Sequence, residues 1–394
     1  MKSIITLFVL PLIFAENPAV KEFTNANNLF AQNVYKQLSQ NQDANFLVSP
    51  FSAETVLAFA QSGCKGESAE EIRNALHLPN KDKVESALKS LLPKFQSSDL
   101  YTLHTANKLY IKNNFVIKDE FKHAASVVYQ THPESVDFTK SVEAAKTIND
   151  WVGDHTNNKI RDLINSGDLD DDTRAVLVNA LYFQANWSRP FQLVNTHKRR
   201  FFKTASDIIK VDTLTHYNQY FNYYECPHLQ AQFLELPFKG DASLVVVLSN
   251  EKDGLSSLEK QLDQVFASQH ELQKTFLNVL LPKFKIETTV DFKVVLQNLE
   301  VRQVFDAQMA DLSGIAGDKG DLVIDKVAQK TYVDVSEEGV EAAAATISLT
   351  VEPYSGYLSP VIPTDFVVDH PFIFFVKVNG VIIFVGRVTD PSQY

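Results

Sequence analysis

Glu337-Glu338-Gly339-Val340-Glu341-Ala342-Ala343-Ala344-Ala345-Thr346 decides how the rest of this chain is read. It follows Lys326-Val327-Ala328-Gln329-Lys330-Thr331-Tyr332-Val333-Asp334-Val335, which has the apolar, β-branched character of a strand. A strand, an acidic turn with Gly and then a run of alanines is odd for a loop, where polar and turn-forming residues dominate. Alanine is the best helix former, so a short helix is the plain alternative. The sharper reading is a segment used twice, first exposed and then as a strand inside an existing sheet. Small uncharged side chains suit that second use, because an entering strand must find room on both faces.

Further blocks lie on either side in a fixed order: Asn45-Phe46-Leu47-Val48-Ser49-Pro50-Phe51-Ser52, Asn179-Ala180-Leu181-Tyr182-Phe183-Gln184-Ala185-Asn186-Trp187, Glu235-Leu236-Pro237-Phe238-Lys239-Gly240, Leu281-Pro282-Lys283-Phe284-Lys285-Ile286, Asp369-His370-Pro371-Phe372-Ile373-Phe374-Phe375 and Gly386-Arg387-Val388. Together with the alanine segment they resemble the serpins, the protease-inhibiting family whose reactive loop inserts into its own main sheet. The resemblance spans Ala26 to Pro391. It implies an α+β fold of roughly nine helices and three β-sheets, with a reactive loop over 337–362.

The coarse patterning agrees. Spaced apolar positions predict helices over 25–39, 50–63, 68–76, 83–94 and 142–156, with Ser49 as cap and Pro50 at the first turn of its helix. The run from Asp172 to Phe183 is apolar on both faces, as a central strand should be. Strands are expected over 233–236, 244–248, 278–286, 326–335, 372–378 and 381–387, and one more helix over 290–299. Asn379-Gly380 between the last two strands signals a two-residue hairpin. Helices first and strands later argue for α+β over alternating βαβ units.

No linker or repeat divides the 394 residues, so 16–394 reads as one domain. Lys2, the apolar stretch Ile4 to Phe14 and Ala15 read as a secretory signal over 1–15, too short to span a bilayer. The expectation is a secreted, extracellular monomer with no membrane association. Net charge is −11, and loss of Lys2 with the signal makes it −12, which argues against nucleic acid as a partner. Cys64 and Cys226 are the only cysteines. Where the resemblance places them favours two free thiols over a bridge. Asn186-Trp187-Ser188 is the one glycosylation sequon, inside a motif whose Trp is expected to be buried.

Enzymatic motifs are missing: there is no Gly-x-Ser-x-Gly elbow, phosphate-binding glycine loop or His-Glu-x-x-His helix. His270-Glu271 begins like a zinc motif, but Lys274 stands where the second histidine belongs. No enzyme, metal site or resident cofactor is expected.

What the resemblance implies is mechanical. A target protease attacks the loop as substrate, and the cleaved loop inserts into the sheet before the acyl-enzyme can be hydrolysed. Gly339, Val340, Glu341, Ala342, Ala343, Ala344 and Ala345 would form the hinge, with Val340 replacing the small hydroxyl residue common there. Glu337, Lys283 and Trp187 would form the breach at the top of the sheet. Ser49, Ser52, Asn179 and Gln329 would form the shutter below it, Gln329 standing where many serpins have a histidine.

Counted from Glu337, the family's spacing reaches Pro353 and Tyr354. Tyr354-Ser355 is the better scissile bond, with Tyr357-Leu358 and Leu358-Ser359 as alternatives, and a plain turn also fits Pro353-Tyr354-Ser355-Gly356. No Lys or Arg lies between Lys330 and Lys377, so a chymotrypsin-like or elastase-like serine protease is the expected partner. Such inhibitors commonly restrain clotting or innate-immune cascades. A non-inhibitory carrier, binding or storage serpin is the rival, disfavoured by the alanines. Two basic clusters, Lys198, Arg199, Arg200 and Lys203 in one and Lys81, Lys83 and Lys89 in the other, read as solvated surface or as a site for a heparin-like glycosaminoglycan accelerator.

Overall fold

The computed structural model describes residues 17–40, 44–95, 100–268, 271–340 and 362–393. Among these are nine α-helices: α1 (Pro18–Ser39), α2 (Pro50–Ser62), α3 (Gly66–Ala75), α4 (Lys81–Leu91), α5 (Asp119–Val127), α6 (Ser141–His155), α7 (Leu255–Glu259), α8 (Leu262–Ser268) and α9 (Phe292–Asn298). Their starts follow the expected chemistry. Ser49 caps α2 by accepting from the Ser52 N–H at 3.3 Å, and Asn17 and Asn80 cap α1 and α4 in the same way. Helix α2 is buried on every side from Pro50 to Ala60, which makes it the central helix rather than an amphipathic surface one.

A six-stranded sheet runs in the order β10 (Phe284–Asp291), β11 (Lys326–Val335), β12 (Gly339–Val340), β4 (Ala175–Asn186), β2 (Tyr101–Lys112) and β3 (Glu134–Val136). A nine-stranded sheet runs β1 (Phe46–Val48), β15 (Val381–Val388), β14 (Phe372–Val378), β8 (Ala242–Ser249), β7 (Ala231–Pro237), β6 (Ile208–Cys226), β9 (Gln273–Pro282) and β13 (Thr364–Val367), with β5 (His197–Phe202) also on β6. The third expected sheet is one arm of this second one. The long strand β6 shifts register against β9 between His216 and Gln219, and pairs β5 on one side of the break and β7 on the other.

Strand β4 is buried on both faces. Leu177, Leu181 and Phe183 join the main core with α2, while Val176, Val178 and Tyr182 pack under α6 with Ile148 and Val152. Asn379 and Gly380 both adopt positive φ, 50° and 77°, as a hairpin of the favoured type requires.

Several expectations need correction. The single strand expected over 278–286 is two strands in different sheets, β9 ending at Pro282 and β10 starting at Phe284. Val279, Leu281, Phe284 and Ile286 are buried on both sides of Lys283, so strand-like patterning runs through the boundary and does not show the crossover there. The order "helices first, strands later" also fails: β2 and β6 are long strands within the helical and middle parts, and α5, α7 and α8 fall outside the expected helices. Strand β2 carries His104, Thr105, Asn107 and Lys108, polar residues that hid it. Helix α1 begins at Pro18 rather than 25.

Candidate functional site

The two central strands, β11 and β4, pair in parallel only from Lys326↔Val176 to Tyr332↔Tyr182. Above that point β12 stands between them, with Gly339 opposite Asn186, and Val340 opposite both Ala185 and Val335. The start of the alanine segment therefore lies inside the sheet, at the upper end of a seam. Gly339 is required there: its φ is +148°, and a Cβ on it would meet the Ala185 carbonyl oxygen at 2.0 Å. Val340 is fully buried. The remaining hinge residues, Glu341 and Ala342 to Ala345, lie outside the described residues, as do Tyr354, Ser355, Tyr357, Leu358, Ser359 and positions 1–15.

At the mouth of the seam Lys283 donates to Glu337 Oε2 at 2.8 Å, and the Thr196 hydroxyl donates to Glu337 Oε1 at 3.0 Å. Burial pushes the Glu337 carboxyl up, but Lys283, its own backbone N–H and Thr196 outweigh burial and hold it below its ordinary value. Trp187 is buried and stacks on Phe238 at 4.3 Å between centroids. Its indole N–H donates to the Ser336 carbonyl at 2.9 Å, its backbone N–H donates to the Glu338 carbonyl, and the Phe191 N–H reaches the Glu337 carbonyl. The turn that launches the hinge is thus held by its backbone carbonyls as well as by one ion pair. Thr196, Phe191 and Ser336 were missed by sequence reasoning, since only the fold brings them here.

Lower on the same seam, Gln329 and Asn179 face each other across β11 and β4. The Gln329 amide donates to the Ser49 carbonyl at 2.8 Å and to Asn179 Oδ1, while its oxygen accepts from the Ser49 N–H at 2.8 Å. The Asn179 amide donates to Ser52 Oγ at 2.5 Å and to Asn107 Oδ1, and the Ser49 hydroxyl donates to the Ile383 carbonyl at 2.7 Å. Gln329, Asn179, Ser49 and Ser52 are all buried. The four expected residues form one network, with Asn107 of β2 as a fifth member that no motif announced.

The basic residues sit at two separate places. On α4, Lys81 and Lys89 both lie near Glu85, at 3.9 and 3.8 Å, and Lys83 pairs with Glu22 at 2.7 Å. On and after β5, Lys198 approaches Asp212 at 3.5 Å and Lys203 pairs with Asp207 and Asp390. Arg199 donates to the Tyr217 hydroxyl at 3.4 Å. Strand β5 sets the exposed Arg200 opposite the exposed Lys210.

Cys64 and Cys226 are buried and unbridged. Burial, with Asp311 adding to it, pushes the Cys64 thiol up to about 12. Among the described residues no His, Cys, Asp and Glu cluster could hold a metal ion, and no helix is long and apolar enough to cross a membrane.

A family model for the serpins, the serine protease inhibitors, matches residues 25–391. The chain belongs to the serpin family. This serpin is 34% identical over 398 residues to Alaserpin of Manduca sexta, covering 99% of this chain and 100% of that one. It is 35% identical over 371 residues to Antichymotrypsin-2 of Bombyx mori, covering 92% and 96%. The crystal structure of Serpin48, a highly specific serpin in the insect Tenebrio molitor, matches with a TM-score of 0.87 at 53% identity, over 94% of this chain and 98% of that one. Family membership makes the chain a protein of the serine protease inhibitor family and not an enzyme.

Proposed function

We propose that this serpin is a secreted inhibitor that traps an extracellular serine protease by loop cleavage and insertion. The observation that carries this is Gly339-Val340 seated between β4 and β11 at the top of the seam. Continuing those two ladders downward predicts where each hinge residue would go. Ala342 would fall between Phe183 and Val333, Ala344 between Leu181 and Thr331, and Thr346 between Asn179 and Gln329. By strand alternation all three would share the face of Val340, which is buried. On the other face Ala343 would enter between Tyr182 and Tyr332, whose rings are 5.9 Å apart.

Alanine at 342, 343 and 344 would fit slots where a larger side chain would collide, and Thr346 would bring a hydroxyl beside Asn179 and Gln329. The Gln329–Asn179 bond spans the seam, so it must break for insertion to pass. In this reading Glu337, Lys283 and Trp187 hold the mouth, and Ser49, Ser52, Asn179 and Gln329 latch the middle. Roughly a dozen new backbone hydrogen bonds, each worth ~0.5–1.5 kcal/mol net, would supply on the order of 10 kcal/mol for displacing the protease.

Tyr354-Ser355 is the proposed scissile bond, and the target is a chymotrypsin-like or elastase-like enzyme of a defence or clotting cascade. The name of the Bombyx relative, Antichymotrypsin-2, supports that class. The β5 face with Lys198, Arg200 and Lys210 is the proposed contact for a sulfated polysaccharide. The test is incubation with chymotrypsin and with elastase, followed by denaturing electrophoresis and intact mass. A denaturation-resistant complex and release of the peptide that begins at Ser355 are expected. Clean cleavage with no complex would mean a substrate or carrier serpin, and a peptide beginning at Ser359 would move the bond to Leu358-Ser359.

A further inference from the structure

The sequon Asn186-Trp187-Ser188 falls at the end of β4, where strand alternation buries Trp187 and turns Asn186 and Ser188 to solvent. Asn186 is the last residue of β4 and Ser188 lies just beyond it, both exposed, so the folded protein leaves room for a glycan there. Neither side chain is engaged in a hydrogen bond among the described residues, whereas the backbone around them is fixed: the Lys239 N–H donates to the Asn186 carbonyl and the Ser188 N–H to the Pro237 carbonyl. Sugar on Asn186 would therefore disturb no contact of the folded protein. Burial of Trp187 is no obstacle, because attachment during synthesis precedes the packing of its indole.

We propose that Asn186 carries an N-linked glycan standing on the outer edge of the seam, one strand spacing from Gly339. The proposal rests on the secretory reading, since only passage through the secretory pathway exposes the sequon to the transferase. The donor is a lipid-pyrophosphate-linked oligosaccharide. The Asn186 amide nitrogen forms a bond to the anomeric carbon as it loses a proton, and the bond from that carbon to the pyrophosphate oxygen breaks, releasing the lipid pyrophosphate.

The full chain would be expressed in insect cells twice, once with its own residues 1–15 and once with a proven signal peptide in their place. The expected result for the second form is a secreted protein whose electrophoretic mobility shifts on treatment with a peptide N-glycosidase, with Asn186 converted to Asp in the tryptic peptide. Asn186→Gln and Ser188→Ala should each abolish the shift, and Ser188→Thr should retain it. A secreted, unshifted protein from the proven signal overturns the glycan, whatever the native leader does. Loss of secretion with the native leader alone would instead count against the secretory reading. Should Asn186→Gln fail to fold, the tryptic mass of the unsubstituted protein still decides the question.

Discussion

Three residues, Glu337, Glu54 and Gln329, carry testable chemistry at the smallest scale. Glu337 is held ionised by Lys283 and Thr196. A carboxyl lowered in the folded state contributes stability above its ordinary value and loses it as pH falls through the lowered one. Differential stability between the protein and Glu337→Gln should therefore be largest at neutral pH and vanish in acid, as read from thermal midpoints across pH 3–7. Glu54 behaves oppositely. It is fully buried on α2 with neither carboxylate oxygen hydrogen-bonded, and burial alone pushes it well above its ordinary value. Such a group favours the fold only while protonated, so its contribution is complete below the ordinary carboxylate value and is lost as pH rises towards its raised one. Glu54→Gln should raise the thermal midpoint at pH 8 and leave it unchanged near pH 4. Gln329 titrates nowhere in this range. Gln329→His should add a new loss of stability below about pH 6.5, because the bonds to Ser49 need one donor and one acceptor and a charged imidazole offers only donors. Glu337, Lys283 and Gln329 stood out in the sequence because each sits in a recognisable block. Asn107, Thr196 and Glu54 did not, since their roles come from strand register, a loop crossing and all-round burial of a helix whose Ser, Glu and Thr look solvent-facing on paper.

At the scale of elements, the proposed insertion would part β4 from β11, and the extrapolated hinge ladder says which substitutions matter. The inward positions would face Phe183, Val333, Leu181 and Thr331, a buried lining without a charge in it. Ala344→Arg would drive a guanidinium into that lining, a cost of several kcal/mol for a buried unpaired charge. Insertion would slow while cleavage of the loop would not. The expected outcome is at least about tenfold less denaturation-resistant complex per molecule cleaved, a factor that needs only ~1.4 kcal/mol on the insertion barrier. Unchanged thermal stability of the uncut variant would show that the native fold is intact. Trapping by Ala344→Arg as efficient as by the parent would rule out the register that seats Ala344 between Leu181 and Thr331. The strand before the hinge and the hairpin after it were legible in advance, being short β-branched and aromatic runs bounded by turn signals. The boundary at Lys283 was not: strand-like residues lie on both sides of it, and only the pairing partners, β6 for one half and β11 for the other, tell the two strands apart.

For the whole molecule, the question is whether the described form is the most stable one its chain can reach. The six-stranded sheet already closes β11 onto β4 over seven residue pairs, Lys326 to Tyr332, so an entering strand must part them and break the Gln329–Asn179 bond before gaining anything. That lost ladder would be returned doubled, because a strand between two others bonds on both edges. Parallel pairing between β11 and β4 would also be exchanged for two antiparallel ladders, the slightly stronger arrangement per residue. On the proposed mechanism the parting step would be the barrier that keeps the uncut form in place, and the doubled ladder the reason it should not return once the loop is cut. A gain on the order of 10 kcal/mol, spread over a chain of this size, corresponds to a rise in thermal midpoint of roughly 10–20 °C. Limited proteolysis within 341–361, which leaves both halves associated, should therefore produce a form that melts that much higher than the uncut protein in differential scanning calorimetry. The same cut made in Ala344→Arg should give little or no rise, because its strand cannot seat. A nicked protein that melts no higher than the intact one would mean that no spring is stored, whatever complexes it forms.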